Sequence, residues 1–171
     1  MENEIKNKSL YKALKILECF TEKNPELGIT EISEMMGLYK SNVHSIISTF
    51  ERAGYIEKNE QTNKYRLGLK ILELSHIIAY NIPFKNILLP YMQDLSNKTN
   101  EVVYLGIPNG SEVLYLSGAY PQSGINLRSM LGVKAPLYCT GIGKAILAYL
   151  PEDKIRQILP EKLERFTENT L

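Results

Sequence analysis

Ile29-Thr30-Glu31-Ile32-Ser33-Glu34-Met35-Met36-Gly37-Leu38-Tyr39-Lys40-Ser41-Asn42-Val43-His44-Ser45-Ile46-Ile47-Ser48-Thr49-Phe50 holds two helix patterns separated by one glycine. In the first pattern Ile32, Met35 and Met36 face inward, and Thr30 can cap its start. Gly37 stops that helix after two turns, as a glycine just past a helix end does. The second pattern opens at Lys40 or Ser41. Val43, Ile46, Ile47 and Phe50 form its apolar stripe, and Ala53-Gly54 closes it. Its opposite side carries Ser41, Ser45, Ser48, Thr49 and Arg52, with Asn42 and His44 on the flanks.

Upstream, Leu10, Ala13, Leu14, Leu17 and Phe20 recur at three- and four-residue steps, one face of another helix with Ser9 as its cap. Asn24-Pro25 and Gly28 make a loop. Downstream, Tyr55-Ile56-Glu57-Lys58 and Lys64-Tyr65-Arg66-Leu67-Gly68 flank a polar turn and read as a β-hairpin. Three helices and then a hairpin is the order of a winged helix-turn-helix, placed at residues 1–68. Residues 69–98 read as a helical connector and dimerisation segment, broken at Asn81-Ile82-Pro83 and interrupted or kinked at Pro90. From residue 99 a second domain begins. Its hairpin runs from Glu101 to Ile107 and from Glu112 to Gly118, around Pro108-Asn109-Gly110. Ile125-Asn126-Leu127-Arg128 is a weaker third strand. A helix starts at Gly141, and another follows Pro151 placed at its first helical position. The fold class is therefore α+β.

Composition restrains the function. The 171 residues carry 20 basic and 19 acidic side chains. Neither half is enriched in one sign, so any cations that meet a polyanion must be placed locally. No apolar stretch approaches the ~20 residues of a membrane span, the first residues lack a signal-peptide pattern, and the two cysteines, Cys19 and Cys139, give no disulfide framework. A cytoplasmic chain with no membrane partner is expected.

The polar face of the third helix suits a DNA major groove. Asn can read adenine, and Ser and Thr can contact phosphates or base edges. Lys40, Ser41, Asn42, His44, Ser45, Thr49 and Arg52 are the candidates there, and Lys58, Lys64 and Arg66 the candidates on the wing. Lys6, Lys8, Lys12 and Lys15 precede or lie on the first helix. An ordinary solvated helix face beside surface lysines is the competing reading.

Thr140-Gly141-Ile142-Gly143-Lys144 invites a phosphate-loop reading that fails. Tyr138 and Ala145 stand where that motif needs Gly and Ser or Thr, and Ile146 stands where a dinucleotide fingerprint needs its third glycine. Small residues at a helix start can expose N–H groups to an anion such as a carboxylate, or can permit tight packing. Both readings stay open. His44 and His76, the only histidines, have no ligand-spaced neighbours, and Cys139 has no histidine near it in sequence. No metal, cofactor or catalytic residue is called for, and an enzyme is not expected.

Ser9-Leu10-Tyr11-Lys12-Ala13-Leu14-Lys15-Ile16-Leu17-Glu18, Thr30-Glu31-Ile32, Gly37 to His44, Gly54-Tyr55 and Tyr65-Arg66-Leu67-Gly68 resemble the isocitrate-lyase-regulator (IclR) family of bacterial transcription factors. Gly132 to Ala148 is similar to that family's effector-domain signature. The resemblance implies a winged helix that binds a palindromic operator in double-stranded DNA, a linker helix, and a GAF/PAS-like α/β effector domain. It also implies a homodimer or tetramer acting as repressor or activator, nucleoid-associated when on DNA. A small metabolite, often a carboxylate or an aromatic, would modulate operator binding. By the same resemblance the third helix is the recognition helix, and Leu127, Ala135, Thr140, Gly141 and Ile142 belong to the effector pocket. Two departures matter. Ser45 stands where the family usually has Arg, and Asn42 replaces a usual Thr. Family members also continue for roughly half a domain past the position of Leu171. Residues 99–171 are thus expected to be the first part of an effector domain in a C-terminally truncated chain. A winged helix that contacts protein instead of DNA, serving a small-molecule-binding or dimerisation module, is the alternative function.

Overall fold

The computed structural model describes residues 5–122 and 129–170. The expected strand Ile125–Arg128 lies outside the described residues. The chain divides into two units, one ending at Tyr80 and the other beginning at Asn81.

The first unit contains α1 (Lys8–Glu18), α2 (Ile29–Met36), α3 (Lys40–Arg52), β1 (Ile56–Lys58), β2 (Tyr65–Leu67) and α4 (Lys70–Tyr80). Ile16, Ile32, Val43 and Ile47, one or two from each of the first three helices, are wholly buried against one another, with Ile56 beside them. Each such side chain contributes about 2 kcal/mol of burial. β1 and β2 pair antiparallel with Glu57 opposite Arg66, and Leu27 exchanges two backbone hydrogen bonds with Tyr65 at the sheet edge. The hairpin is thereby tied to the loop before α2.

The helix caps differ from the sequence expectation. Asn7, not Ser9, caps α1: its extended backbone lets Oδ1 accept from the Leu10 N–H at 2.9 Å. α2 starts at Ile29, so Thr30 lies inside its first turn. Gly28 is the cap, and its own N–H donates to Glu31 Oε2 at 2.6 Å. Asn7 and Ser9, and likewise Gly28 and Thr30, are residues two positions apart that can each start a helix, and packing of the apolar face selects the register.

The second unit contains α5 (Lys85–Thr99), β3 (Val103–Asn109), β4 (Glu112–Ala119), β5 (Lys134–Pro136), a 3-10 turn (Leu137–Cys139), α6 (Gly141–Leu147) and α7 (Glu152–Ile158). The sheet is antiparallel in the order β3-β4-β5. α5 runs unbroken through Pro90, whose missing N–H leaves only the exposed residue 86 carbonyl without its helical partner. It lies along β3 and β4, burying Met92 and Ser96, and the Ser96 hydroxyl donates to the Glu101 carbonyl at 2.7 Å. Val113, Tyr115 and Leu137 form the buried centre, against which Ile142, Ile146 and Leu147 of α6 and Ile158 of α7 pack. Pro151 stands at the cap of α7, one residue before the expected position.

Candidate nucleic-acid interface

The geometry of α3 begins with its stripe. Val43 and Ile47 are 0% exposed, which turns Ser41, Asn42, His44, Ser45, Thr49 and Arg52 outward. The α2–α3 turn sets the angle of the helix. Gly37 has φ +61, the left-handed region, and lies between Leu38 N–H to Ser33 carbonyl (3.1 Å) and Ser33 hydroxyl to Leu38 carbonyl (2.5 Å) bonds. Phe50 and Tyr55 meet edge to face at 6.0 Å where α3 hands over to β1. The Thr49 hydroxyl donates to the Ser45 carbonyl at 2.9 Å, so its proton is used within the helix and its lone pairs remain.

The cations fall into two groups. Lys40 opens α3 and Arg52 ends it, both exposed, and Lys58 lies half-buried on β1; among the described residues none of the three has an ion pair. Lys64 instead bonds Glu31 Oε1 at 2.9 Å, and Arg66 reaches Glu57 Oε2 at 3.4 Å. Glu31 is held below the usual carboxylate value first by the Gly28 N–H and then by Lys64. Glu26 is lowered in the same way, first by the Asn59 side chain and also by Thr62. The wing is therefore a cross-linked polar network, and two of its three cations must exchange a carboxylate for a phosphate to engage DNA.

A cleft of about 320 Å³ lies between α1 and α3, lined by Ser9, Lys12, Leu38, Asn42, Ser45 and Ile46. Lys12 was only one of four lysines near the first helix in the sequence, and only folding puts it beside Ser45.

The expected effector residues gather around one corner of the second unit. Ala135 lies on β5 opposite Val113. The Thr140 hydroxyl accepts from the Gly143 N–H and donates to the Pro136 carbonyl, both at 3.1 Å, so both its functions are used as the cap of α6. Ile142 packs on the core. A Cβ at Gly143 would stand 2.0 Å from the Leu137 carbonyl oxygen, whereas one at Gly141 would meet nothing within 4 Å. Of the small residues at this helix start, Gly143 serves close packing and Gly141 alone faces open space. Leu127 lies outside the described residues. Cys19 is buried and its thiol is raised by that burial, as befits a core side chain.

Comparison with known proteins adds the family context. The family model described as bacterial transcriptional regulator IclR C-terminal matches residues 77–171, and that of the IclR helix-turn-helix domain matches residues 9–60. The HTH-type transcriptional regulator XynR of Escherichia coli is 36% identical over 151 residues, covering 88% of this chain and 60% of the relative. The E. coli regulator KdgR is 32% identical over 164 residues, 95% of this chain and 62% of that protein. The crystal structure of an IclR family transcriptional regulator from Brucella abortus superposes with a TM-score of 0.78 at 28% identity, covering 89% of this chain and 57% of that one. The chain thus spans about 60% of the length of the curated relatives it matches.

Proposed function

This chain belongs to the IclR family of bacterial transcriptional regulators, and from that premise we propose that it is a sequence-specific DNA-binding regulator whose operator affinity is set by a small metabolite. The observation that carries the reading is α3. Val43 and Ile47 of its apolar stripe are fully buried, and its outer face offers Ser, Asn, His and Thr side chains between two cations with no ion pair among the described residues, Lys40 and Arg52. A helix of this kind enters a major groove, where its short polar groups meet base edges and its terminal cations meet phosphates. The wing residues Lys58, Lys64 and Arg66 extend the contact along the backbone.

A homodimer on a palindromic site fits the rest of the first unit. α4 buries none of its residues and leaves Leu72 at 66%, Ile77 at 55% and Ile78 at 66% exposed, an apolar surface that a second copy would cover. The second unit is the sensor, with Ala135, Thr140, Gly141 and Ile142 near the ligand and Gly141 the position with free space. A carboxylate-bearing metabolite is the favoured class. Ligand binding would shift the balance between operator-competent and incompetent dimers. No enzymatic step is assigned. The regulator would work in the cytoplasm on nucleoid DNA; separately, among the described residues no helix is long and apolar enough to cross a membrane.

The test is selection of duplexes from a randomised library by the purified chain, followed by titration of the winner against an unrelated duplex. A preference of tenfold or more at physiological salt is expected. Equal affinity for both duplexes would refute sequence-specific regulation.

A further inference from the structure

Four residues that carry hydrogen-bond donors line the cleft between α1 and α3: Ser9, Lys12, Asn42 and Ser45. Ser9 and Lys12 are three residues apart on α1, and Asn42 and Ser45 three apart on α3, so each pair shares one helix face. Leu38 and Ile46 complete the lining, and among the described residues no carboxylate takes part. All four polar residues are exposed, and among the described residues none of their side chains has a hydrogen-bond or ion-pair partner. Lys15, one turn further along α1, is different. It bonds Glu18 at 2.5 Å and lies over the Tyr11 ring. A cleft with one cation, three uncharged polar side chains and, among the described residues, no acid suits an anionic oxygen ligand.

We infer that Lys12, with Ser9 and Ser45, holds a backbone phosphate of the bound duplex. The inference rests on the reading of α3 as the DNA-reading helix. Asn42 and Ser45 belong both to that helix's outer face and to the cleft. The cleft therefore sits at the rim of the reading surface, where the phosphates of a duplex run, and the first helix of such a motif crosses the backbone. Lys12 supplies from α1 the one cation in the lining of this cleft among the described residues. It is a phosphate contact with no part in reading bases.

The test compares the parent chain with Lys12→Gln, Lys12→Arg and Lys15→Gln on a duplex selected by the parent, using fluorescence anisotropy between about 50 and 200 mM salt. Losing one phosphate contact lowers the slope of log K against log salt by about 0.9 per engaged protomer, which shrinks the parent's advantage about threefold across that salt range. Lys12→Gln should show that change equally on the selected duplex and on mismatched ones. Lys12→Arg should keep the parental slope, and Lys15→Gln should behave as the parent. An unchanged slope in Lys12→Gln, with or without weaker binding, overturns the inference while leaving the regulator reading intact. If the parent prefers no duplex at all, the regulator reading fails and this inference with it.

Discussion

Gly143→Ala tests what the small residues at the start of α6 are for. The added Cβ would lie 2.0 Å from the Leu137 carbonyl oxygen, 2.5 Å from its carbonyl carbon and 2.5 Å from its Cα. Real Cβ atoms essentially never come closer than 3.0 Å to such a neighbour, so α6 must retreat by about 1 Å from the 3-10 turn. A gap of that size forfeits a quarter to a half of each contact across it. Ile142, Ile146 and Leu147 make those contacts on the Val113–Tyr115–Leu137 centre. At about 2 kcal/mol of burial for each of the three, the loss is ~1.5–3 kcal/mol. Alanine's better helix propensity returns about 0.5–1 kcal/mol. The net cost is then roughly 1–2 kcal/mol, and a melting temperature falls by about 4–8 °C for each kcal/mol in a unit of this size. Thermal unfolding followed by circular dichroism should show the transition of the second unit lowered by roughly 10 °C, with that of the first unchanged. Gly141→Ala, whose Cβ meets open space, is the control and should leave the melt within a few degrees of the parent. A parental melt for Gly143→Ala would refute the close-packing account and return both glycines to a ligand role.

Ile47→Ala removes a wholly buried side chain at the meeting of the first three helices and should cost about 2–5 kcal/mol in a denaturant melt, abolishing duplex binding at temperatures where the second unit stays folded. Gly37→Ala forces φ +61 on a residue with a Cβ but meets no atom within 4 Å, so the loss should be about 1 kcal/mol, with Gly37→Asn milder because asparagine tolerates that region. Glu31 has a lowered folded value, so its contribution is complete above the usual carboxylate value of 4.5 and fades as pH falls through the lower folded value; Glu31→Gln should therefore flatten the acid limb of a stability–pH titration below about pH 4.5, and an unaltered limb would count against the Gly28 and Lys64 contacts. Ser45→Arg places a cation on the outer face of α3 and should steepen the salt dependence of duplex binding by about 0.9 per engaged protomer, measured by the same anisotropy titration.

What was readable in the chain was what depends on near neighbours. The α3 stripe recurs at helical spacing, and Gly37 marks its own turn, because both features are set within four residues. The hairpin before residue 68 and the one after residue 101 alternate plainly. β5 has no local signature: Lys134-Ala135-Pro136 is three residues long and ends in proline, and it is a strand only because Glu112, Val113 and Leu114 pair with it. The caps of α1 and α2 are not decided locally, because Asn7, Ser9, Gly28 and Thr30 all suit a helix start, and burial of Ile16 and Ile32 decides among them. The pairing of the wing cations is not written in the local sequence. Glu31 lies 33 residues from Lys64, a separation that carries no periodic trace.

The amino-acid sequence determined the helix and hairpin order, the outward polar face of α3 and the likeness to the IclR family, since backbone preference and apolar period are local properties. Tertiary structure decided which cations stay unpaired, why Gly143 has no side chain while Gly141 could carry one, and that Lys12 stands across a cleft from Ser45. Those facts depend on distances between residues far apart in the chain, and only the packing of the two buried centres sets such distances.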